Sequence, residues 1–317
     1  MWEAELIADA WERIDDLDAA HLRSKPNVAE WCASSSTRDE GLVELLEVAR
    51  RDIREWGVEP RGVIPCGVGS LAVAVMTRTG LAVAKWMPET GSALRTAALI
   101  RGLHTASLGP ALLDESMFGV LMEKVDPGTP LRSLAPDLRH VDAVARMLNA
   151  VRGLAVPGGV ELGRPLQEMA FEEFEDLETE LDGFSRRAQR TAADAVEVTS
   201  GLPLGLGHGD VQLGNVLLGP DGVLKLIDAG GTYDSGYDDA ARLAVHATVD
   251  ALGAGVPWSA EDVIRRVAKA AGLDADTLRV VALAKAANTA RYIKRCVPAR
   301  EWEWRAADEV FLALERL

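Results

Sequence analysis

The chain has 317 residues, with 34 basic against 49 acidic side chains and a formal charge of −15. At 48% hydrophobic residues it can bury a real core and is not a disordered chain, and its length predicts two lobes or one large domain. So large a surplus of acid argues against a nucleic-acid or anionic-membrane surface and suits a cationic small-molecule partner.

The three cysteines, Cys32, Cys66 and Cys296, are few and far apart, which predicts neither a disulfide framework nor a zinc site. The first residues, MWEAELIADAWERIDD, lack a basic stretch followed by an apolar run, so no signal peptide is expected. No apolar run approaches the roughly 20 residues that a membrane span needs. The expectation is a soluble, cytoplasmic protein without a membrane partner.

Residues 1–57 read as a helical N-terminal extension, in which Leu42, Leu45, Leu46 and Ala49 form an apolar stripe at helical spacing. A polar break, Ser34-Ser35-Ser36-Thr37, divides it. Residues 58–125 change period. RGVIPCGVGS and LAVAVMT, then the turn Arg78-Thr79-Gly80 and LAVAKWM, predict three antiparallel strands with a glycine-containing turn and a hairpin. Helical spacing returns over 91–104, and FGVLMEKV is an apolar segment that ends at Asp126-Pro127-Gly128, the expected boundary between lobes. Residues 126–317 are predicted to be mainly helical, over 135–153, 165–197, 239–253, 260–272, 275–296 and 301–316. Two short strands interrupt them at 216–219 and 223–228, joined by Pro220-Asp221-Gly222. A small β-rich lobe followed by a larger helical lobe is an α+β pattern.

The chemistry concentrates in His208-Gly209-Asp210-Val211-Gln212-Leu213-Gly214-Asn215, a hairpin, and then Ile227-Asp228-Ala229-Gly230. An Asp and an Asn five apart on one tight loop can converge on a point, and a carboxylate after the following hairpin can be brought back to face them. Phosphoryl transfer uses such a set: one carboxylate accepts the hydroxyl proton, and Asn with a second Asp holds Mg²⁺ against the ATP phosphates. His-x-Asp with Asn five residues after the Asp matches the protein-kinase catalytic loop. His208 itself reads as a structural hydrogen-bonding residue.

HGDVQLGNVL and LIDAGG closely resemble the catalytic and metal-binding motifs of the aminoglycoside phosphotransferase family, and the segment 233–240, YDSGYDDA, resembles a further acidic segment of that family. The order of elements fits over about three fifths of the chain, and VLMEKVDPGTPL with IDAGG is most similar to the streptomycin 6-kinase and hydroxyurea kinase branch. The resemblance implies a two-lobed protein-kinase-like fold with an antiparallel-sheet N-lobe and a helical C-lobe. It implies Asp210 as catalytic base and Asn215 and Asp228 as Mg²⁺ ligands. Lys85 would take the α/β phosphates, Gly67, Gly69 and Ser70 would form the glycine loop, and the hinge backbone around Glu123, Lys124 and Val125 would bind adenine. Departures are the third loop glycine, replaced by Ala72, the helix glutamate expected near Thr96, and Gln212 where the family commonly has histidine.

Substrate recognition is expected from acids of the helical lobe. Residues 168–184 hold eight acids and no base, with Phe171, Phe174, Leu177 and Leu181 as the apolar stripe, so Glu173 is a candidate. Asp234 and Glu301 are further candidates, and Trp302 and Trp304 are expected in the core. The predicted activity is ATP- and Mg²⁺-dependent phosphorylation of a hydroxyl on a small cationic substrate, such as an aminoglycoside-type antibiotic or its precursor. Alternatives are a kinase of an amino alcohol or sugar, and a non-catalytic nucleotide-binding module of the same fold.

Overall fold

The computed structural model describes residues 36–64, 70–87, 91–155, 158, 162–163, 183–296 and 301–316. Gly67, Gly69, Glu173 and the acidic stretch around it lie outside the described residues. The described chain divides into two compact units. The first runs to Thr105 and includes Gly109–Val125; the second comprises Ala106–Leu108 and everything from Asp126 onward.

The first unit is built on a five-stranded antiparallel sheet. Its elements are α1 (Ser36–Trp56), β1 (Glu59–Ile64), β2 (Leu71–Thr77), β3 (Gly80–Trp86), α2 (Ser92–Thr105), β4 (Leu112–Glu115) and β5 (Gly119–Glu123), with strand order β1-β2-β3-β5-β4. Period-two alternation sends successive side chains to opposite faces. Ala82, Ala84, Trp86 and Leu121 join the core under α1, where Leu45, Leu46, Ala49 and Ile53 are buried. Val120 and Met122 pack instead with Ala93, Ala97 and Ile100 of α2. The helix expected as part of an N-terminal extension is thus one wall of the sheet.

A buried carboxylate fastens that wall. Asp52, 1% exposed, accepts hydrogen bonds from Trp86 Nε1 at 3.0 Å and from Ser116 Oγ at 2.5 Å, and Trp86 stacks on Trp56 with centroids 5.8 Å apart. Ser116 Oγ in turn accepts from the Gly119 amide at 2.9 Å, closing the β4–β5 turn.

The second unit is mainly helical. It contains β6 (Thr129–Pro130), α3 (Leu138–Arg152), α4 (Gly183–Thr199), β7 (Gly205–Gly207), β8 (Val216–Leu218), β9 (Leu224–Leu226) and β10 (Thr232–Asp234). After these come α5 (Tyr237–Gly253), α6 (Ala260–Ala271), α7 (Ala275–Cys296) and α8 (Glu301–Glu315). Helix α5 packs against α3, α6, α7 and α8, which explains its run of buried small residues, Ala240, Ala241, Ala244, Ala247 and Ala251. Helix α6 starts at Ser259, whose side chain accepts from the Asp262 amide, and stops at Gly272 in the left-handed conformation. Among the described residues no helix is long and apolar enough to cross a membrane.

Two expectations are corrected. The second hairpin strand ends at Leu226 rather than on Asp228, because the Ile227 amide turns to the Asn215 carbonyl at 3.0 Å and Asp228 takes a left-handed φ of 64°. Trp302 is 48% exposed rather than in the core, lying over Gly253, while Trp304 is covered by Lys294 and Arg305.

Candidate functional site

Strand β7 pairs with β10, Gly207 opposite Thr232, and delivers the chain to His208-Gly209-Asp210. The approach needs glycine twice. A Cβ on Gly207 would lie 2.7 Å from Asp234 Cβ, and Gly209 has a φ of 82°, which an L side chain resists. The turn is then held from both sides. The carboxylate of Asp239 accepts the amides of His208 and Gly209, the latter at 2.9 Å, and the His208 carbonyl accepts the amides of Gly230 at 2.8 Å and Gly231 at 3.0 Å. Together with the Ile227–Asn215 bond, these contacts fold the Asp228 segment back onto the Asp210 loop.

Within the loop, Asn215 Nδ2 donates to Asp210 Oδ2 at 2.9 Å and to the Asp210 carbonyl at 2.8 Å. Asp210 Oδ1 accepts from Arg242 Nη1 at 2.7 Å. Both oxygens are therefore held in place, yet each keeps a lone pair, and the side chain is 36% exposed. Burial alone would raise the Asp210 carboxyl. The Arg242 guanidinium above all, with His208 and the Asn215 bond, outweighs it and holds the group below the ordinary carboxylate value, so it stands ionised.

Arg242, on α5, is the charged neighbour of Asp210 that the sequence did not reveal. Its Nε is buried without a hydrogen-bond partner among the described residues, so its position is determined by the ion pair and by packing. One turn along the same face, His246 is pushed down to about 3 by burial and by the cations Arg242 and Lys285, and is neutral. Lys285 reaches the group from α7; burial and Arg242 push it down to about 7, against the pull of Asp238, Asp210 and Asp239.

Of the acids expected to contact substrate, Asp234 is turned instead to the backbone. Asp234 is 1% exposed, and its oxygens accept the amides of Gly236, Asp238 and Asp239 at 2.8, 3.1 and 3.1 Å, so it caps the start of α5. Burial and the nearby Asp239 push its carboxyl up to about 6 despite those bonds. Asp239 is likewise pushed up to about 6, chiefly by burial. Glu301 is exposed and pairs with Arg305 one turn away on α8.

In the first unit, Lys85 lies on β3 between Ala72 and Val120, and alternation puts it on the face that packs against α2. Helix α2 carries no carboxylate, and Thr96, where the glutamate was expected, is buried with its hydroxyl on Met87 Sδ. Glu123 closes β5, Val125 follows it, and Ser70 directly precedes β2.

The donor set suits a hard cation. With Nδ2 of Asn215 donating to Asp210, its Oδ1 remains an acceptor, and Asp228 adds a carboxylate one residue beyond the Asn215–Ile227 bond. Oxygen-only ligands of this kind fit Mg²⁺.

The fold is kinase-like, of the kind found in small-molecule phosphotransferases. The solved structures it resembles include choline kinase from Streptococcus pneumoniae, with a TM-score of 0.60 at 12% identity over 86% of this chain and 99% of that one. A choline/ethanolamine kinase family protein from Mesorhizobium loti gives 0.55 at 14% identity over 96% and 94%. Spectinomycin phosphotransferase in complex with ADP and spectinomycin gives 0.54 at 13% identity over 84% and 97%. No family model and no curated protein matches by sequence, so the likeness is one of fold.

Proposed function

We propose that the protein is an ATP-dependent phosphotransferase that acts on a hydroxyl of a small molecule. The observation that carries this reading is the ionised Asp210 carboxylate, held between Asn215 and Arg242 at the tip of a loop whose backbone Asp239 anchors. In the proposed reaction Asp210 accepts the proton of the substrate hydroxyl as its oxygen attacks the γ-phosphorus, and ADP leaves with the bridging electrons. Asn215 and Asp228 would hold Mg²⁺, which when bound neutralises phosphate charge. Lys85 would pair with the α/β phosphates, and the backbone around Glu123 and Val125 with the adenine edge. The family resemblance of the motifs and the shared fold support these assignments.

The net charge of −15 supports a cationic acceptor, such as an aminoglycoside-type compound. A second reading, a compact amino alcohol, draws on the likeness to choline kinase. Incubation with Mg·ATP and a panel of aminoglycosides, amino alcohols and sugars, following ADP release and γ-phosphate transfer, tests both. Turnover on one class is expected, and Asp210→Ala should lower it by about 10²–10⁴-fold. Undiminished turnover by that variant would overturn the mechanism.

A further inference from the structure

Helix α7 packs against α5 and brings Lys285 toward Arg242 and Asp210. Lys285 is only 8% exposed, yet among the described residues its side chain makes no hydrogen bond and no close ion pair. A lysine buried to that degree ordinarily has a partner. Asp238, Asp210 and Asp239 attract it without touching it, and Arg242 repels it. His246, one turn beyond Arg242 on the same face of α5, is neutral, and among the described residues its ring nitrogens are likewise unbonded. Arg132, which also acts on His246, is paired with Asp250.

Donors outnumber acceptors in this cluster. Lys285 offers three N–H groups, or two when neutral, and Arg242 adds its unbonded Nε to the Nη1 that holds Asp210. Asp239 uses both of its oxygens on the His208 and Gly209 amides. The oxygens of Asp210 already accept from Asn215 and Arg242 and keep one lone pair each, and neutral His246 contributes one ring nitrogen. A ligand that fits must therefore accept hydrogen bonds here as well as give its reacting proton to Asp210. An ammonium accepts none and would stand as a further cation beside Arg242 and Lys285. A carboxylate accepts well but faces the charges of Asp210, Asp238 and Asp239. A neutral hydroxyl accepts from Lys285, donates to His246 and meets neither penalty. Lys285 and Asp210 do not touch, so two adjacent hydroxyls can bridge them.

Resting on the phosphotransferase reading, we propose that Lys285 and His246 form an acceptor subsite that selects a vicinal diol. The hydroxyl to be phosphorylated meets Asp210, and the hydroxyl on the neighbouring carbon is held by Lys285 and His246. The amines of an aminoglycoside-type acceptor would lie away from this pair of hydroxyls.

The test is a ligand-observed NMR titration of the full-length protein at pH 7 with four six-membered-ring probes. These are cyclohexanol, the trans 1,2-diol, the trans 2-amino alcohol and the trans 2-hydroxy carboxylate. The diol should bind at least about 10-fold more tightly than the other three. Lys285→Met should lower the affinity for the diol about 10-fold and leave that for cyclohexanol unchanged. Burial penalises the Lys285 charge, so the variant should be the more stable protein and lost binding would not reflect unfolding. His246→Phe should weaken the diol in the same way, and it serves if Lys285→Met fails to fold by circular dichroism. Wild-type protein that binds no probe, or that prefers the amine or the carboxylate, overturns the proposal, as does a diol preference that survives both substitutions. Lys285-dependent binding of the diol without phosphoryl transfer from Mg·ATP to any compound would support the subsite and refute the kinase reading. Transfer to an acceptor, with a diol preference that ignores Lys285 and His246, would do the reverse.

Discussion

Lys285→Met should stabilise the protein, because Lys285 is a lysine held where a charge is unwelcome. It is 8% exposed on α7, with Arg242 opposing its charge and Asp238, Asp210 and Asp239 only partly compensating. Its ammonium is pushed from 10.5 down to about 7, and at about 1.4 kcal/mol per tenfold the penalty at pH 7 is at most roughly 4 kcal/mol. The sign follows from proton binding. Below pH 7 both folded and unfolded chains carry the charge and the wild type bears the whole penalty. Between pH 7 and 10.5 the folded chain binds fewer protons than the unfolded one, so wild-type stability rises with pH and the penalty fades. Methionine, similar in volume and adaptable in shape, removes the charge without leaving a cavity. Urea denaturation of both proteins across pH 6 to 10 measures the difference. We expect Lys285→Met to be more stable by about 2–4 kcal/mol at pH 7, with the gap narrowing toward pH 10. A variant less stable than wild type at pH 7, or a gap independent of pH, would refute the reasoning. Because Lys285 is electrostatically coupled to Asp210, the variant should also slow the proposed phosphoryl transfer.

Asp52→Ala should cost the first unit about 3 kcal/mol in denaturant midpoint experiments, since it strands the buried Trp86 Nε1–H and frees Ser116, whereas Asp52→Asn should keep most of that stability. Gly119→Ala would place a Cβ 2.6 Å from Trp86 Cδ1 and Nε1, and because that ring is fully buried the variant should lose about 1–3 kcal/mol in thermal denaturation. Arg242→Met removes the partner of Asp210 Oδ1, and kcat should fall at least about 10-fold with an unchanged circular dichroism spectrum, Arg242→Lys recovering only part of it; full activity in Arg242→Met would show that Asn215 alone positions the carboxylate.

The Asp210–Asn215 loop was legible in the sequence because its chemistry is local. Five residues separate the carboxylate from the amide that binds it, and turn and hairpin signals on either side define the loop. The sheet was legible for a similar reason: alternation in LAVAVMT and LAVAKWM reports the two faces that α1 and α2 cover. Asp234 was misjudged, as an acid in a motif segment says nothing about where its oxygens point. Only the path of the chain into α5 shows that backbone amides use them.

The sequence by itself thus determined the class of fold and the loop that joins Asp210 to Asn215, since short-range spacing is what periodicity and turn chemistry encode. Tertiary structure alone decided what surrounds them. Arg242 meets Asp210 across 32 residues, Asp239 holds Gly209 across 30, and Arg132 reaches Glu303 across 171. Those distances in sequence close only when α5 packs among its neighbouring helices, and a carboxylate's charge and partners are properties of that packing rather than of its neighbours in the chain.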